Sequence, residues 1–276
     1  MADMTQADPC RLCGGETTNI FTQTVLGKHR VDYFRCSTCR SIQTQKPHWL
    51  SEAYASALAP VDTDAVRRSV DNRVRVALYR RLFARKSGRM LDFGGGFGLL
   101  CRLLRDWRID CEFIDHYAAP GFAEPFRVET IAAGAYDLIV GFEVLEHLPD
   151  PSAALGEIFE AGAGHLLFST ELVTEHTGPD WYYLAADQGQ HVFFYSGAAM
   201  AHLADRYGYH YRNFGNLHAF SRLALGRIGL PIFGLFRKGA GKFVAEFVFK
   251  MSAHIRGIDG ARHDSEVVLK RPSSRC

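Results

Sequence analysis

The sequence predicts an α/β fold that is preceded by a small metal-binding segment. Two observations carry this prediction: a glycine-rich turn lies between a strand and a helix near the middle of the chain, and two C-x-x-C pairs lie near its start. A strand, a glycine turn and a helix in that order begin a doubly wound sheet. The chain has 276 residues, of which 47% are hydrophobic and 22% charged, so it can bury a sizeable core.

The charge balance gives no general reason to expect a nucleic-acid partner, because the formal net charge is only +2. Residues 219–276 nevertheless carry 11 basic and 4 acidic residues, a net charge of +7. The first residues lack the basic and apolar regions of a secretory signal, and cations interrupt the apolar stretches of the tail. We therefore expect a cytoplasmic protein without a membrane-spanning helix, whose cysteines bind metal rather than form disulfides.

The two C-x-x-C pairs predict a zinc ribbon over residues 1–50. The pairs are separated by 22 residues that alternate between polar and apolar side chains around Gly27 and Lys28, which favours a β-hairpin. Neither pair is followed by the helical pattern that a redox C-x-x-C requires. Four thiolates make a closed tetrahedral site, so the zinc is expected to be structural. The predicted ligands are Cys10, Cys13, Cys36 and Cys39.

A leading helix is predicted within the connecting segment, residues 51–86. Apolar residues recur there at every fourth position, which is the spacing of one helical face. They are Val66, Val70, Val74, Leu78 and Leu82.

The next segment has the features of an adenosine-binding unit. A short strand ends near Asp92 and is followed by Gly94, Gly96 and Gly98, which let the backbone approach a ligand closely. A second strand ends at Asp115, 23 residues after Asp92, where a carboxylate can accept the hydroxyls of a ribose. The spacing also suits nicotinamide dinucleotides, but G-G-G-x-G differs from their G-x-G-x-x-G pattern.

The stretch YDLIVGFEVLEHLPDP at residues 136–151 resembles the fourth-strand motif of class I S-adenosylmethionine-dependent methyltransferases. Together with LDFGGGFG and Asp115, it gives three motifs in the order and spacing of that family, over residues 65–222. The resemblance implies a Rossmann-like, mostly parallel sheet with one antiparallel strand, a methyltransferase domain over residues 87–222, and S-adenosylmethionine as the methyl donor. It also implies that Phe142 and Glu143 lie beside the cofactor and that His147 shapes the floor of the acceptor pocket.

The rest of the domain is predicted from local patterns. Strands are expected at residues 164–170, 209–215 and 217–222. Asp150 and Pro151 are expected to begin one helix, and a second helix over residues 198–207 should be capped by Ser196 and ended by Gly208.

A long loop at residues 172–190 contains Trp181, Tyr182 and Tyr183, and loops of this length often cover substrates. The segment after it, H-x-x-x-Y-S from His191, resembles sugar C-methyltransferases and related polysaccharide-cluster methyltransferases. That resemblance implies a small acceptor such as a nucleotide sugar or glycan. Gln190 replaces the family's acid, so a hydroxyl and a carbon both remain open as the methylated group.

Removal of a proton from the acceptor calls for a general base near the cofactor. His191 is the first candidate, because an imidazole titrates near neutral pH. Its side chain could equally be bonded to the loop backbone. The other catalytic candidates are Tyr183, Glu146 and His147.

Two further interpretations stay open at this stage. Some zinc-containing RNA methyltransferases place a metal module before this fold, although residues 1–50 have a surplus of only two basic residues. A non-catalytic scaffold that kept the fold is the other alternative. The basic apolar tail, residues 223–276, either lies peripherally at a membrane surface or packs on the domain, and its glycines and prolines favour packing.

Overall fold

The computed structural model describes residues 8–54, 64–84, 88–119 and 121–236, together with five single positions beyond them. Contacts divide the chain into two compact units. The first unit comprises residues 1–61, 141–162 and 166–223, and the second comprises residues 62–140, 163–165 and 224–276. Among the described residues, none of the helices combines the length and the apolarity needed to cross a membrane.

A four-stranded antiparallel sheet lies in the first unit. Strands β1 (Thr17–Val25) and β2 (His29–Cys36) form the predicted hairpin, and the backbone turns at Leu26 and Gly27 with φ of +54° and +69°. Strand β3 (Ile42–Thr44) pairs with β2. The fourth strand comes from much later in the chain and is given below as β8. The core against this sheet includes Tyr33, Trp49 and Phe194.

A six-stranded sheet forms the α/β part of the fold, with the strand order β5-β4-β6-β7-β10-β9. Strand β4 pairs in parallel with β5 and β6, whereas β9 and β10 pair antiparallel. The fold is thus the α/β methyltransferase fold with a mixed, mostly parallel sheet, as the sequence predicts. The strand bounds are β4 Met90–Phe93, β5 Cys111–Ile114, β6 Leu138–Phe142, β7 His165–Ser169, β8 Phe193–Phe194, β9 His210–Asn213 and β10 Leu217–Ser221.

In the described part of the chain, six α-helices with defined bounds accompany these strands. The predicted caps are confirmed: the Asp150 side chain accepts from the Ala153 N–H, the Ser196 hydroxyl accepts from the Ala199 N–H, and Gly208 ends its helix with φ of +71°. The helices are α1 Leu50–Ala53, α2 Ala65–Phe83, α3 Leu99–Arg105, α4 Pro151–Glu160, α5 Gly197–Tyr207 and α6 Gly229–Phe236, and short 3-10 turns occupy Glu124–Phe126, Leu145–His147 and Tyr182–Leu184.

The apolar stripe predicted for α2 is wrong at its beginning. Val66 is 64% exposed, whereas Val74 and Leu78 are buried. The buried face instead begins at Asn72, and α2 packs against α3 and α6. A four-residue repeat drifts around a helix of 3.6 residues per turn, so its first member does not share a face with its last.

The described part of the tail contains α6. Phe233 of this helix is fully buried and its ring lies 5.5 Å from that of Tyr79, while Leu235 remains exposed. Most of the basic segment that follows lies outside the described residues.

Candidate active site

The four predicted zinc ligands form a cluster. Their sulfur atoms all lie within 4.8 Å of one another, with Cys10 Sγ 3.6 Å from Cys39 Sγ and Cys13 Sγ 3.5 Å from Cys36 Sγ. The backbone N–H groups of Thr38 and Cys39 each donate to Cys36 Sγ at 3.4 Å. Four sulfurs at these separations, with N–H donors around them, fit a tetrahedral zinc ion.

The cysteine segment is bonded to the chain around residues 189–196. Ser196 donates a hydrogen bond from Oγ to the Cys39 carbonyl, and the Arg11 guanidinium donates to the Val192 carbonyl at 2.6 Å. β8 extends the hairpin sheet by pairing with β3, with Phe194 opposite Ile42. The sequence analysis missed this connection, because a two-residue strand produces no detectable pattern. The ribbon therefore supports the segment that carries His191.

The glycine loop lies in the second unit. Gly94, Gly96 and Gly98 have φ of +67°, +55° and +78°, and a Cβ on Gly98 would lie 2.9 Å from the Phe113 ring. A side chain at Gly98 is therefore excluded by backbone conformation and by space. Gly98 directly precedes α3, so the loop leads to the N-terminus of that helix.

Asp115 is bonded to the glycine loop. Its Oδ2 accepts from the Gly96 N–H at 2.9 Å, and its Oδ1 accepts from the N–H groups of Tyr117 and Ala118 at 2.9 and 2.7 Å. A carboxylate offers about four acceptor positions, and three are used here. Asp115 can therefore take one ribose hydroxyl without losing a backbone bond, and a second hydroxyl requires the Gly96 bond to open.

Asp92 is a buried acid beside this loop. It is 3% exposed, and its Oδ2 has no hydrogen-bond partner among the described residues. Burial, together with the charge of Asp115, raises the pKa of Asp92 to about 8. Such a carboxyl is stabilised when a cationic ligand approaches it, since a positive charge offsets the cost of desolvation.

Two carboxyl groups share one tyrosine hydroxyl in the first unit. The Tyr183 hydroxyl lies 2.7 Å from Glu146 Oε1 and 2.9 Å from Glu143 Oε2. The hydroxyl has a single proton, so it donates to one of these acceptors at a time. Thr170 Oγ1 lies 3.3 Å from the same hydroxyl oxygen. Burial and the charge of Glu143 raise the pKa of Glu146 to about 8, and burial with both acids raises the pKa of Tyr183. Tyr183 is thus a hydrogen-bond donor near neutral pH.

Glu143 follows directly after β6 in an uncommon backbone conformation. Its φ is +52°, in the left-handed region that favours glycine. The Ser169 hydroxyl accepts from the Glu143 N–H at 3.0 Å and donates to Glu143 Oε1, which fixes the side chain. Phe142, the last residue of β6, is partly exposed. Strained backbone held by side-chain bonds is found more often at functional positions than elsewhere.

His147 and His191 lie edge to face, with ring centroids 4.8 Å apart. The Nδ1 atom of His191 is 2.6 Å from the Tyr183 carbonyl, so this nitrogen carries the proton and Nε2 keeps its lone pair. The Nδ1 atom of His147 is 3.0 Å from the Tyr54 hydroxyl. Burial lowers the pKa of both histidines, and His191 lowers that of His147 further, so both are neutral at pH 7.

The aromatic residues of the long loop have separate environments. Trp181 packs against Tyr183 and Phe194 with ring centroids 5.3 and 5.7 Å apart, whereas Tyr182 is 74% exposed. An open depression of about 350 Å³ beside this loop is lined by residues such as Leu172, Asp180 and Trp181, and none of the predicted catalytic residues contributes to it. Trp181 therefore holds the loop in place within the first unit through its contacts with Tyr183 and Phe194.

The predicted site residues fall into groups. The four catalytic candidates are neighbours of one another and of Glu143; they are Glu146, His147, Tyr183 and His191. Asp92, the three glycines and Asp115 form a group in the second unit. Tyr54, Ser169 and Thr170 also contact this cluster and were not predicted from the sequence. Ser169 and Thr170 end the predicted strand at 164–170, where a parallel sheet presents polar groups to ligands.

A family model described as a methyltransferase domain matches residues 66–213, more than half of the chain. The chain belongs to the methyltransferase-domain family. It is an S-adenosylmethionine-dependent methyltransferase. None of the curated proteins matches its sequence.

Several solved structures of methyltransferases are similar to part of this chain. A possible histamine N-methyltransferase from Thermotoga maritima is 14% identical, with 58% of this methyltransferase and 92% of that chain covered and a TM-score of 0.40. Magnesium protoporphyrin IX methyltransferase from Synechocystis, with bound S-adenosylhomocysteine, is 14% identical and has a TM-score of 0.40. The match covers 62% of this methyltransferase and 90% of that chain. At this similarity the acceptors of those proteins are not carried over to this methyltransferase.

Proposed function

We propose that this methyltransferase transfers the methyl group of S-adenosylmethionine to a small, sugar-containing acceptor, at a hydroxyl or an acidic carbon. The observation that carries the proposal is the cluster of Glu143, Glu146, Tyr183 and His191 in the first unit. It combines carboxyl groups that can bond acceptor hydroxyls with an imidazole nitrogen that can take a proton.

The donor half of the proposal rests on the glycine loop and its two acids. S-adenosylmethionine, when bound, supplies a methyl group activated by a sulfonium. Asp115 is the proposed partner of the ribose, with its remaining acceptor position on Oδ2. Asp92, which is buried and whose Oδ2 has no partner among the residues that the structure describes, is the proposed partner of the cationic methionine end. Gly94, Gly96 and Gly98 let the backbone approach the ligand.

The proposed proton acceptor is His191 Nε2. Its Nδ1–H is held by the Tyr183 carbonyl, so the free lone pair is on the opposite ring nitrogen. Burial lowers the pKa of His191, which keeps this nitrogen unprotonated near neutral pH. An imidazole fixed in one tautomer by its second nitrogen is suited to general-base catalysis.

The acidic side chains suit an acceptor with several hydroxyl groups. Glu143 and Glu146 each place a carboxyl at the Tyr183 hydroxyl, and an acceptor hydroxyl can donate to these oxygens. The charge of Glu143 repels the phosphates of nucleic acid, so this cluster favours a neutral, hydroxyl-bearing group over an RNA backbone. Tyr182, exposed on the loop beside it, can stack on the face of a sugar ring.

The proposed zinc ion has a structural role. The cysteine segment is bonded to residues 192–196 through Arg11 and Ser196, so metal binding stabilises the segment next to His191. No step of methyl transfer is assigned to this ion, because four thiolates leave no open coordination position.

The proposal is tested in two stages. Calorimetric titration with S-adenosylhomocysteine should show micromolar binding, on the order of −8 kcal/mol, and NAD should not bind. Nucleotide sugars, free glycans and RNA are then incubated with labelled S-adenosylmethionine, and we expect label in a sugar acceptor. Label in RNA alone would overturn the acceptor assignment. Failure to bind either cofactor form would favour a non-catalytic scaffold.

A further inference from the structure

We propose that Glu146, His147 and His191 bind one divalent transition-metal ion, separate from the zinc site of the four cysteines. Each of the three residues offers one ligand atom, and these atoms lie within 4.8 Å of one another. Bonds of about 2.0–2.2 Å place ligand atoms no more than about 4.4 Å apart. The three side chains therefore have to close by only a few tenths of an ångström to surround an ion.

The orientation of the histidines supports metal binding. His191 uses Nδ1 for the Tyr183 carbonyl, and His147 has Nδ1 next to the Tyr54 hydroxyl, at 2.6 and 3.0 Å. Metal-binding histidines commonly bond their second nitrogen to a carbonyl or another polar group, which fixes the ring and the tautomer. Both rings are partly exposed, so an ion can reach them.

Glu146 supplies the second, independent observation. It has no exposed surface, and its Oε2 has no hydrogen-bond partner among the described residues, although Oε1 accepts from Tyr183. A buried carboxyl oxygen without a donor is costly unless a cation or proton compensates it. Because Glu146 contributes a carboxyl oxygen to the group of atoms around which an ion fits, a metal ion would compensate the burial of this side chain.

The donor set indicates which metals bind. Two imidazoles and one carboxylate suit Zn²⁺, Fe²⁺, Co²⁺ or Mn²⁺, whereas Mg²⁺ and Ca²⁺ prefer oxygen ligands alone. Three protein ligands also leave coordination positions open, unlike the four thiolates of the ribbon. The cluster therefore has the composition of a metal site that binds a further ligand.

The role of this ion in catalysis rests on the proposed function. A hydroxyl of the acceptor would bind at an open position, where the cation lowers the pKa of that hydroxyl and its proton leaves to solvent. The alkoxide oxygen then forms a bond to the methyl carbon while the carbon–sulfur bond breaks, and the electron pair remains on sulfur. When the ion is bound, His191 acts as a ligand and solvent takes the proton; without the ion, His191 Nε2 is the proton acceptor of the proposed function.

The test counts zinc in the full-length protein. After equilibration with micromolar Zn²⁺ and removal of unbound ions, elemental analysis should find two zinc ions per wild-type chain. His147→Gln, Glu146→Gln and His191→Gln should each retain one, and the exposed control His210→Gln should retain two. Calorimetry should show Zn²⁺ affinity at the second site at least ~10-fold weaker in each ligand variant.

The titration of the same samples with S-adenosylhomocysteine separates this proposal from the proposed function. Unchanged affinity in the ligand variants shows that they are folded, so loss of one zinc would then support the site. One zinc per wild-type chain, or two in all three ligand variants, would overturn the metal proposal and leave the methyltransferase assignment intact. Two zinc ions per wild-type chain without any methyl transfer to sugars would support the second metal site and contradict the proposed sugar acceptor.

Discussion

The Tyr183 hydroxyl donates a 2.7 Å hydrogen bond to the fully buried carboxyl of Glu146, 37 residues earlier in the chain. Both residues lie in short 3-10 turns, one after β6 and one within the long loop. The bond ties the loop to the turn after β6, three residues beyond Glu143. A movement of the loop at residues 172–190 would therefore also move the Glu146 carboxyl.

Tyr183→Phe removes this bond and leaves buried carboxyl oxygens without their donor. We expect the free energy of unfolding to fall by about 1–3 kcal/mol, as measured by urea titration, and methyl transfer to decrease. The exposed neighbour gives a matched control, because Tyr182→Phe loses a solvated hydroxyl and should leave stability within ~0.5 kcal/mol of wild type. Equal stability of the two variants would show that the Tyr183 bond contributes nothing to the fold.

Asp115→Asn tests the ribose contact. The amide keeps one oxygen acceptor but loses the charge and part of the acceptor capacity, so affinity for S-adenosylhomocysteine should fall by about 10–100-fold in calorimetry. Asp205→Asn, on the exposed face of α5, should bind as wild type does. A normal melting temperature with unchanged affinity would mean that Asp115 is not the ribose acid.

Asp92 should make the stability of the cofactor-free protein depend on pH. Its folded-state pKa of about 8 lies above the usual value of 3.8. At a pH between these two values the native protein therefore keeps a proton on Asp92, whereas the unfolded chain has lost it. Unfolding then releases a proton, and stability falls as pH rises from about 4 to about 8, by up to ~1.4 kcal/mol per pH unit.

Asp92→Asn should remove this contribution. Relative to wild type, the variant should become steadily more stable as urea titrations are repeated from pH 5 to pH 8. Asp205→Asn serves again as the control and should follow the wild-type curve. A constant difference between Asp92→Asn and wild type over this range would contradict a raised pKa.

Cys36→Ser tests the cysteine cluster and its connection to His191. We expect loss of the structural zinc by elemental analysis and a lower unfolding temperature, because metal binding contributes folding free energy. Turnover should fall more than cofactor affinity does, since the segment at 192–196 is bonded to the cysteine loops. Cys101→Ala should keep its zinc, because Cys101 is buried in α3 away from the cluster. Full zinc content in Cys36→Ser would place the metal elsewhere.

Local patterns in the sequence were sufficient for much of the fold. The hairpin, the strands at 164–170 and 217–222 and the helix capped by Ser196 are governed by turn chemistry, side-chain alternation and capping, which act over a few residues. The α2 prediction was wrong at Val66, because the buried face depends on which elements pack against the helix. The pairing of β3 with β8 joins residues about 150 positions apart, and no local signal specifies it.

The sequence by itself determined the class of protein, since the order of the glycine loop, Asp115 and the EVLEH segment is a property of the chain. It also determined the four cysteines, whose spacing reflects the geometry of a tight turn. Only the tertiary structure decided that the cysteine loops support the His191 segment and that Tyr183 joins two carboxyl groups. It also decided that Glu146 is buried with one oxygen that has no partner within the described part of the chain. These relationships arise from packing between distant segments, where burial and hydrogen-bond geometry are set by neighbours that the local sequence does not specify.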